Sequence, residues 1–167
     1  MLALLGAIVA CGSPKPAKLE PIYRYINLTD GSTVRLGERF DRTDVAKAIN
    51  DTTYHFRPGT FGGGGTVAIT AYTDSLGVLR TLDFAYDGTE SFRTKVHDYT
   101  ASLGAPRDSS ATPADGAVVI WEDSLTRFEL YYAPGYLGHL WSRLEDRSDW
   151  AVVLAVEMEG ELLRDRS

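Results

Sequence analysis

The 167 residues carry a hydrophobic fraction of 44% and 11% aromatics, enough to bury one core, which excludes a disordered chain. The formal net charge of −6 argues against nucleic acid, because phosphate binding rests on lysine and arginine. One cysteine allows no internal disulfide and removes zinc-finger and CxxC chemistry from consideration.

In chain order, Leu2 to Ala10 is an unbroken run of apolar and small residues. It has the length of a signal-peptide hydrophobic region and falls short of the ~18 residues that a membrane-spanning helix requires. Ile8-Val9-Ala10-Cys11 closes it and resembles the lipobox of bacterial lipoproteins. That resemblance implies cleavage before Cys11 and a diacylglyceryl group on its sulfur. A further acyl chain such as palmitate on the new amino group would complete a two-lipid membrane anchor. The pattern departs from ordinary signal peptides in lacking Lys or Arg before the apolar run, and a buried N-terminal strand with a structural cysteine is the plainer alternative. Gly12-Ser13-Pro14-Lys15-Pro16-Ala17-Lys18 has linker composition. Gly12, where Asp would retain a lipoprotein at the inner membrane, implies the outer membrane facing the periplasm if the organism is diderm. The expected organisation is therefore a signal peptide over 1–10, a lipidated linker over 11–19 and a single domain over 20–167.

The domain should open on a hairpin, Ile22 to Leu28 paired with Thr33 to Leu36 around Asp30-Gly31. A short helix follows, capped by Asp41, with Val45, Ala48 and Ile49 as its apolar face and Asn50 as its stop. Thr66 to Tyr72 and Val78 to Tyr86 form a second hairpin. Thr89 caps a second helix, in which Phe92, Val96, Tyr99 and Leu103 recur at helical spacing before Gly104 and Pro106 end it. Ala117 to Trp121 and Arg127 to Tyr132 make a third hairpin, and Trp150 to Met158 a last apolar strand. The latter two hairpins share Asp-Ser turns and similar alternation, which reads either as two helix–hairpin units or as ordinary hairpin chemistry. The expected fold class is α+β, an antiparallel sheet with two helices packed on one face.

A lipobox, a linker, a helix ending in Leu103-Gly104-Ala105-Pro106 and a tryptophan-bearing strand resemble the BamE/SmpA type of small outer-membrane lipoprotein. The tandem helix–hairpin architecture of β-lactamase-inhibitor-like proteins is similar in outline. The likeness covers Phe92 to Tyr132, while the family's Gly-Met-Thr helix entry is replaced by Phe40-Asp41-Arg42-Thr43. It implies a non-catalytic accessory role in envelope assembly or inhibition.

Few residues suggest chemistry. Gly62-Gly63-Gly64-Gly65 lacks the lysine and following helix of a phosphate loop and reads as a connection. His55, His97 and His139 are far apart and without metal-ligand spacing, so no metal or cofactor is expected. Ser124 beside Asp123 is hairpin-turn chemistry. Asp83 and Glu129 occupy comparable outward strand positions; as a pair they would suit glycoside hydrolysis, but a solvated sheet face is the simpler account. Glu157, Glu159 and Glu161 read as the exposed side of a terminal strand. The aromatic stretch Tyr131 to Trp141 reads as a loop, with Tyr131, Tyr136, His139 and Trp141 as candidate partner-binding residues. Folding of these rings onto a sheet edge is the alternative. The expected function is thus a non-enzymatic, membrane-anchored envelope lipoprotein that binds or scaffolds a protein partner. A membrane-held inhibitor and an envelope hydrolase acting on peptidoglycan are the alternatives.

Overall fold

A computed structural model describes residues 22–61, 65–87, 91–112, 116–134 and 139–148. Cys11, the linker, Tyr136 and the expected strand over Trp150 to Met158 lie outside them.

The first hairpin forms from β1 (Tyr25–Asn27) and β2 (Thr33–Arg35), a two-stranded sheet of its own. Its turn uses Gly31 at φ 84°, and Asp30 accepts the Ser32 backbone N–H at 2.8 Å. The expected first helix is absent. In its place are β3 (Ala46–Ala48) and β4 (Thr53–Phe56), a hairpin whose turn is closed by Asn50 Oδ1 accepting from the Thr52 amide at 3.0 Å. Val45 and Ala46 are buried, but Ile49 is 52% exposed, so the helical stripe has no core to face. Asp44 is held by Arg42.

Strands β5 (Thr66–Thr73) and β6 (Leu79–Tyr86) make the second hairpin, and α1 (Phe92–Leu103) follows. Then come β7 (Asp108–Thr112), β8 (Gly116–Glu122), β9 (Thr126–Ala133) and β10 (His139–Asp146). Together β3 to β10 form one antiparallel sheet in the order β3-β4-β5-β6-β10-β9-β8-β7. It is two four-stranded meanders joined where β10 pairs with β6, Arg143 opposite Asp83 and Leu144 opposite Leu82. The protein is therefore mostly β, with one helix among the described residues, and not a sheet carrying two helices. Among the described residues no helix precedes the β5–β6 hairpin, and β7 stands between α1 and the β8–β9 hairpin, so the two expected helix–hairpin units are not present.

Strand alternation sorts the sheet into two faces. Leu82, Phe84 and Tyr86 of β6, Phe128 and Leu130 of β9, and Leu140 and Leu144 of β10 point into one core, with Trp121 of β8 beside them. Phe92, Val96, Tyr99 and Leu103 of α1 pack onto that core at i, i+4, i+7 and i+11. Gly104, at φ 86°, ends the helix, and its carbonyl accepts the Trp121 indole N–H at 3.0 Å. The N-terminal hairpin adds Ile22, Ile26 and Val34 to the same core.

Candidate functional site

The helix does not seal the inner face. Between α1, the sheet and the N-terminal hairpin lies a cleft of about 330 Å³. Its floor is Phe84 and Tyr86 of β6, Phe128 of β9 and Leu144 of β10. Lys95, Tyr99, Ser102 and Leu103 of α1 form one wall, and Ile22, Tyr23 and Ile26 the other, with Phe61 and Thr66 at one end. This is the range of size and the apolar character of small-molecule sites.

Polar groups converge at one place in it. Tyr86 Oη lies 2.6 Å from Ser142 Oγ and 2.7 Å from Tyr99 Oη, a row of three hydroxyls running from beneath the sheet surface to the helix. Ser142 is fully buried, where an unbonded hydroxyl would cost about 1–3 kcal/mol, so the Tyr86 contact is what permits it there. Lys95 is only 7% exposed, and its ammonium lies 5.0 Å above the Tyr86 ring, within cation–π range. Sequence reasoning placed Tyr86 and Tyr99 only as strand and helix residues and passed over Lys95 and Ser142, yet the latter two left a signal. Lys95 falls three residues after Phe92, inside the apolar stripe of α1, and Ser142 interrupts the inward series Leu140, Leu144.

The opposite face of the sheet carries Tyr131, Trp141, Asp83 and Glu129 of the residues singled out from sequence, while Tyr136 and the side chain of His139 lie outside the described part. Trp141 and Tyr131 are brought together on paired strands, their rings stacked at 3.9 Å and 7°. The stretch between them is not one long loop: β9 continues to Ala133, and β10 begins at His139, opposite Ala133. Asp83 and Glu129 flank Arg143 in register. Asp83 takes both arms of that guanidinium at 2.8 Å, which raises the Arg143 pKa, and Glu129 accepts the Tyr131 hydroxyl and pairs with Arg127. Acids neutralised in this way are poor partners for glycoside hydrolysis. Burial first, and then the Glu129 carboxylate, push the Tyr131 phenol up to about 12. A shallow cavity of about 320 Å³ adjoins the stack, bounded by Val118 and Tyr132.

The remaining candidates do not assemble. His55 Nδ1 contacts Thr70 Oγ1 at 2.9 Å on the exposed surface, and His97 lies on the exposed side of α1. Among the described residues no three metal-ligating side chains come together. Asp123 shapes its turn by accepting from the Leu125 and Thr126 amides, and its other oxygen accepts the Ile22 N–H at 2.8 Å.

No known family model matches this chain, and no solved structure does. Similarity is found to the protein/nucleic acid deglycase HchA of Staphylococcus aureus, in strains JH9, JH1 and Newman among others. Each is 33% identical over 107 residues, which is 62% of this chain and 36% of the relative. The chain thus spans about a third of the length of the curated relatives it matches. These relatives and the sheet topology overturn the resemblance to BamE/SmpA lipoproteins and to tandem helix–hairpin inhibitors. They also overturn the reading as a membrane-anchored scaffold, together with its inhibitor and peptidoglycan-hydrolase alternatives. What stands in its place is a distant and partial likeness to an enzyme.

Proposed function

We propose that the cleft between α1 and the sheet is a binding site for a small, largely apolar molecule. The observation that carries this reading is a 330 Å³ apolar space in which Lys95, Tyr99 and Tyr86 converge at one place. Apolar walls supply affinity by removing ligand surface from water, and a few convergent polar groups fix orientation. Ser102, exposed at the rim, allows the cleft to be filled without disturbing the core. The neutral dye N-phenyl-1-naphthylamine should bind saturably to the wild type with enhanced fluorescence and lose that binding in Ser102→Trp. Dye binding that never saturates, or that the tryptophan leaves unchanged, would remove the reading.

A second reading, favoured by the likeness to the deglycase, is that the domain acts chemically on what it binds. In that case the substrate would be a glycated group on a protein rather than on nucleic acid, given the net charge of −6. Incubation with glycated albumin, followed by mass spectrometry of the adducts, tests it. Adduct levels identical to those with heat-inactivated protein would end it.

A further inference from the structure

We propose that the outer face of the sheet carries a binding platform for an uncharged pyranose sugar, formed by Tyr131 and Trp141 with Arg143 at its border. It lies on the opposite face of the sheet from the cleft, so neither site depends on the other.

Shape is the first ground. Tyr131 and Trp141 stack on one another, which uses one face of each ring. Their in-register neighbours further out are small: Val118 stands opposite Tyr131, and Ala85 opposite Trp141, with Ala68 beyond it. Both alanines are exposed, and among the described residues neither ring meets a third ring. On the Tyr131 side this leaves the shallow cavity of about 320 Å³, lined also by Val118 and Gly116. It holds about eleven water-sized groups, close to the roughly twelve non-hydrogen atoms of one hexopyranose. The axial C–H bonds of such a sugar give it a flat apolar face, which matches the face of an aromatic ring.

Charge is the second ground. One row along from the stack, Asp83, Arg143 and Glu129 stand in register on β6, β10 and β9. Across this row and the next, Asp83 pairs with Arg143, Glu129 with Arg127 and Glu122 with both Arg107 and Arg147, while Glu145 stands opposite Arg127. Four acids thus face four guanidinium groups, a balance that favours a neutral ligand over an ion. Hydrogen bonding is the third. Asp83 occupies Nε and Nη2 of Arg143, whose guanidinium lies 5.6 Å from the Trp141 ring centroid. Among the described residues no acceptor meets Arg143 Nη1 or the Trp141 indole N–H. A hydrocarbon or a plain aromatic seated on the rings would take water from these donors without pairing them, which is unfavourable. A pyranose covers the ring face with its C–H bonds and brings hydroxyl oxygens to the donors at the border.

The test titrates the full chain with cellohexaose, an uncharged β-1,4-linked glucose hexamer, by isothermal titration calorimetry. Binding should be saturable, and Val118→Trp, which fills the cavity beside the stack, should weaken it at least about tenfold. Tyr131→Leu should do the same, whereas Tyr131→Phe, which keeps the ring, should bind within about twofold of wild type. The cationic chitosan hexamer and the anionic hexagalacturonate should each bind more weakly than cellohexaose. Equal or tighter binding of either would overturn the assignment of a neutral ligand. Binding that never saturates, or that neither Val118→Trp nor Tyr131→Leu alters, would overturn the platform. So would release of N-phenyl-1-naphthylamine by cellohexaose, because the sugar would then sit in the cleft. Should Tyr131→Leu not fold, Val118→Trp decides the question alone.

Discussion

Arg24 and Asp146 meet across 122 positions of sequence, Nη2 2.6 Å from Oδ1. The Asp146 side chain is fully buried, and Arg80 holds its other oxygen at 3.0 Å, while the Ser148 amide and hydroxyl complete its shell. One carboxylate thereby ties the N-terminal hairpin, which forms a wall of the cleft, to β6 and β10. Replacing it with asparagine removes the carboxylate that Arg24 and Arg80 share, with Asp74 remaining on Arg80. Asp146→Asn should cost about 2–3 kcal/mol, less than breaking a fully buried pair because both arginines keep contact with water. Urea unfolding of the two proteins measures this, and a loss under about 0.5 kcal/mol, the scatter of neutral surface changes, would contradict it.

The same residue sets a pH dependence. Burial alone would raise the Asp146 pKa, but the Ser148 hydrogen bonds and the charges of Arg24 and Arg80 outweigh it, so the carboxyl lies below its ordinary range. A group with a depressed folded pKa contributes stability that is fully present above its unfolded value, about 3.9, and is lost as pH falls through the folded value. Wild-type stability should therefore drop steeply below about pH 4, and Asp146→Asn should show a shallower acid limb. Parallel acid limbs in urea titrations at several pH values would show that other carboxylates carry the effect.

Gly37 approaches this clamp closely. Its φ of 81° is a left-handed conformation, and a Cβ there would lie 3.1 Å from Arg24 Nη2 and 3.3 Å from Asp146 Oδ2. Gly31 has a similar φ of 84° but open space around it. Alanine at Gly31 should cost about 1 kcal/mol from backbone strain alone. Alanine at Gly37 should cost about 1 kcal/mol more, since the clamp must also shift. Equal midpoint shifts in the two variants would place the whole effect in the backbone.

On the outer face, the Tyr131–Trp141 stack should show a coupling of about 0.5–1.5 kcal/mol in a double-mutant cycle with leucine at each position. Additive losses would mean the rings are neighbours without energetic preference. Because the folded Tyr131 phenol is raised to about 12, unfolded chains ionise first as pH passes about 10. Stability should fall above that point in the wild type and less so in Tyr131→Phe.

The hairpins were legible where two local signals coincided. In β5–β6 and β8–β9, period-2 alternation flanks an Asp that closes the turn through its own carboxylate, Asp74 on the Leu76 and Val78 amides and Asp123 on the Leu125 and Thr126 amides. The helix α1 was legible from Phe92, Val96, Tyr99 and Leu103. Local pattern failed at Val45 to Ile49, where a stretch too short to hold a helix alone was decided by pairing with Thr53–Phe56. It failed again at His139–Asp146, where glycine and proline earlier in the stretch drew attention from the clean alternation of Leu140, Ser142 and Leu144. The cleft was invisible for another reason. Lys95, Tyr86, Tyr99 and Ser142 come from three elements, and a lysine within an apolar stripe carries no meaning until the facing strand is known.

By itself the sequence determined what adjacent residues decide among themselves: turn positions, strand alternation, the helix stripe, and a net acidic balance. Only the tertiary structure decided that β10 runs between β6 and β9, since strand order depends on which buried faces complete one core and not on any local preference. That placement puts Ser142 behind Tyr86, Asp146 beneath Arg24 and Arg143 between Asp83 and Glu129. The cleft and its clamp both follow from it, because contacts across more than fifty residues exist only once the chain has paid the entropy of closing those loops.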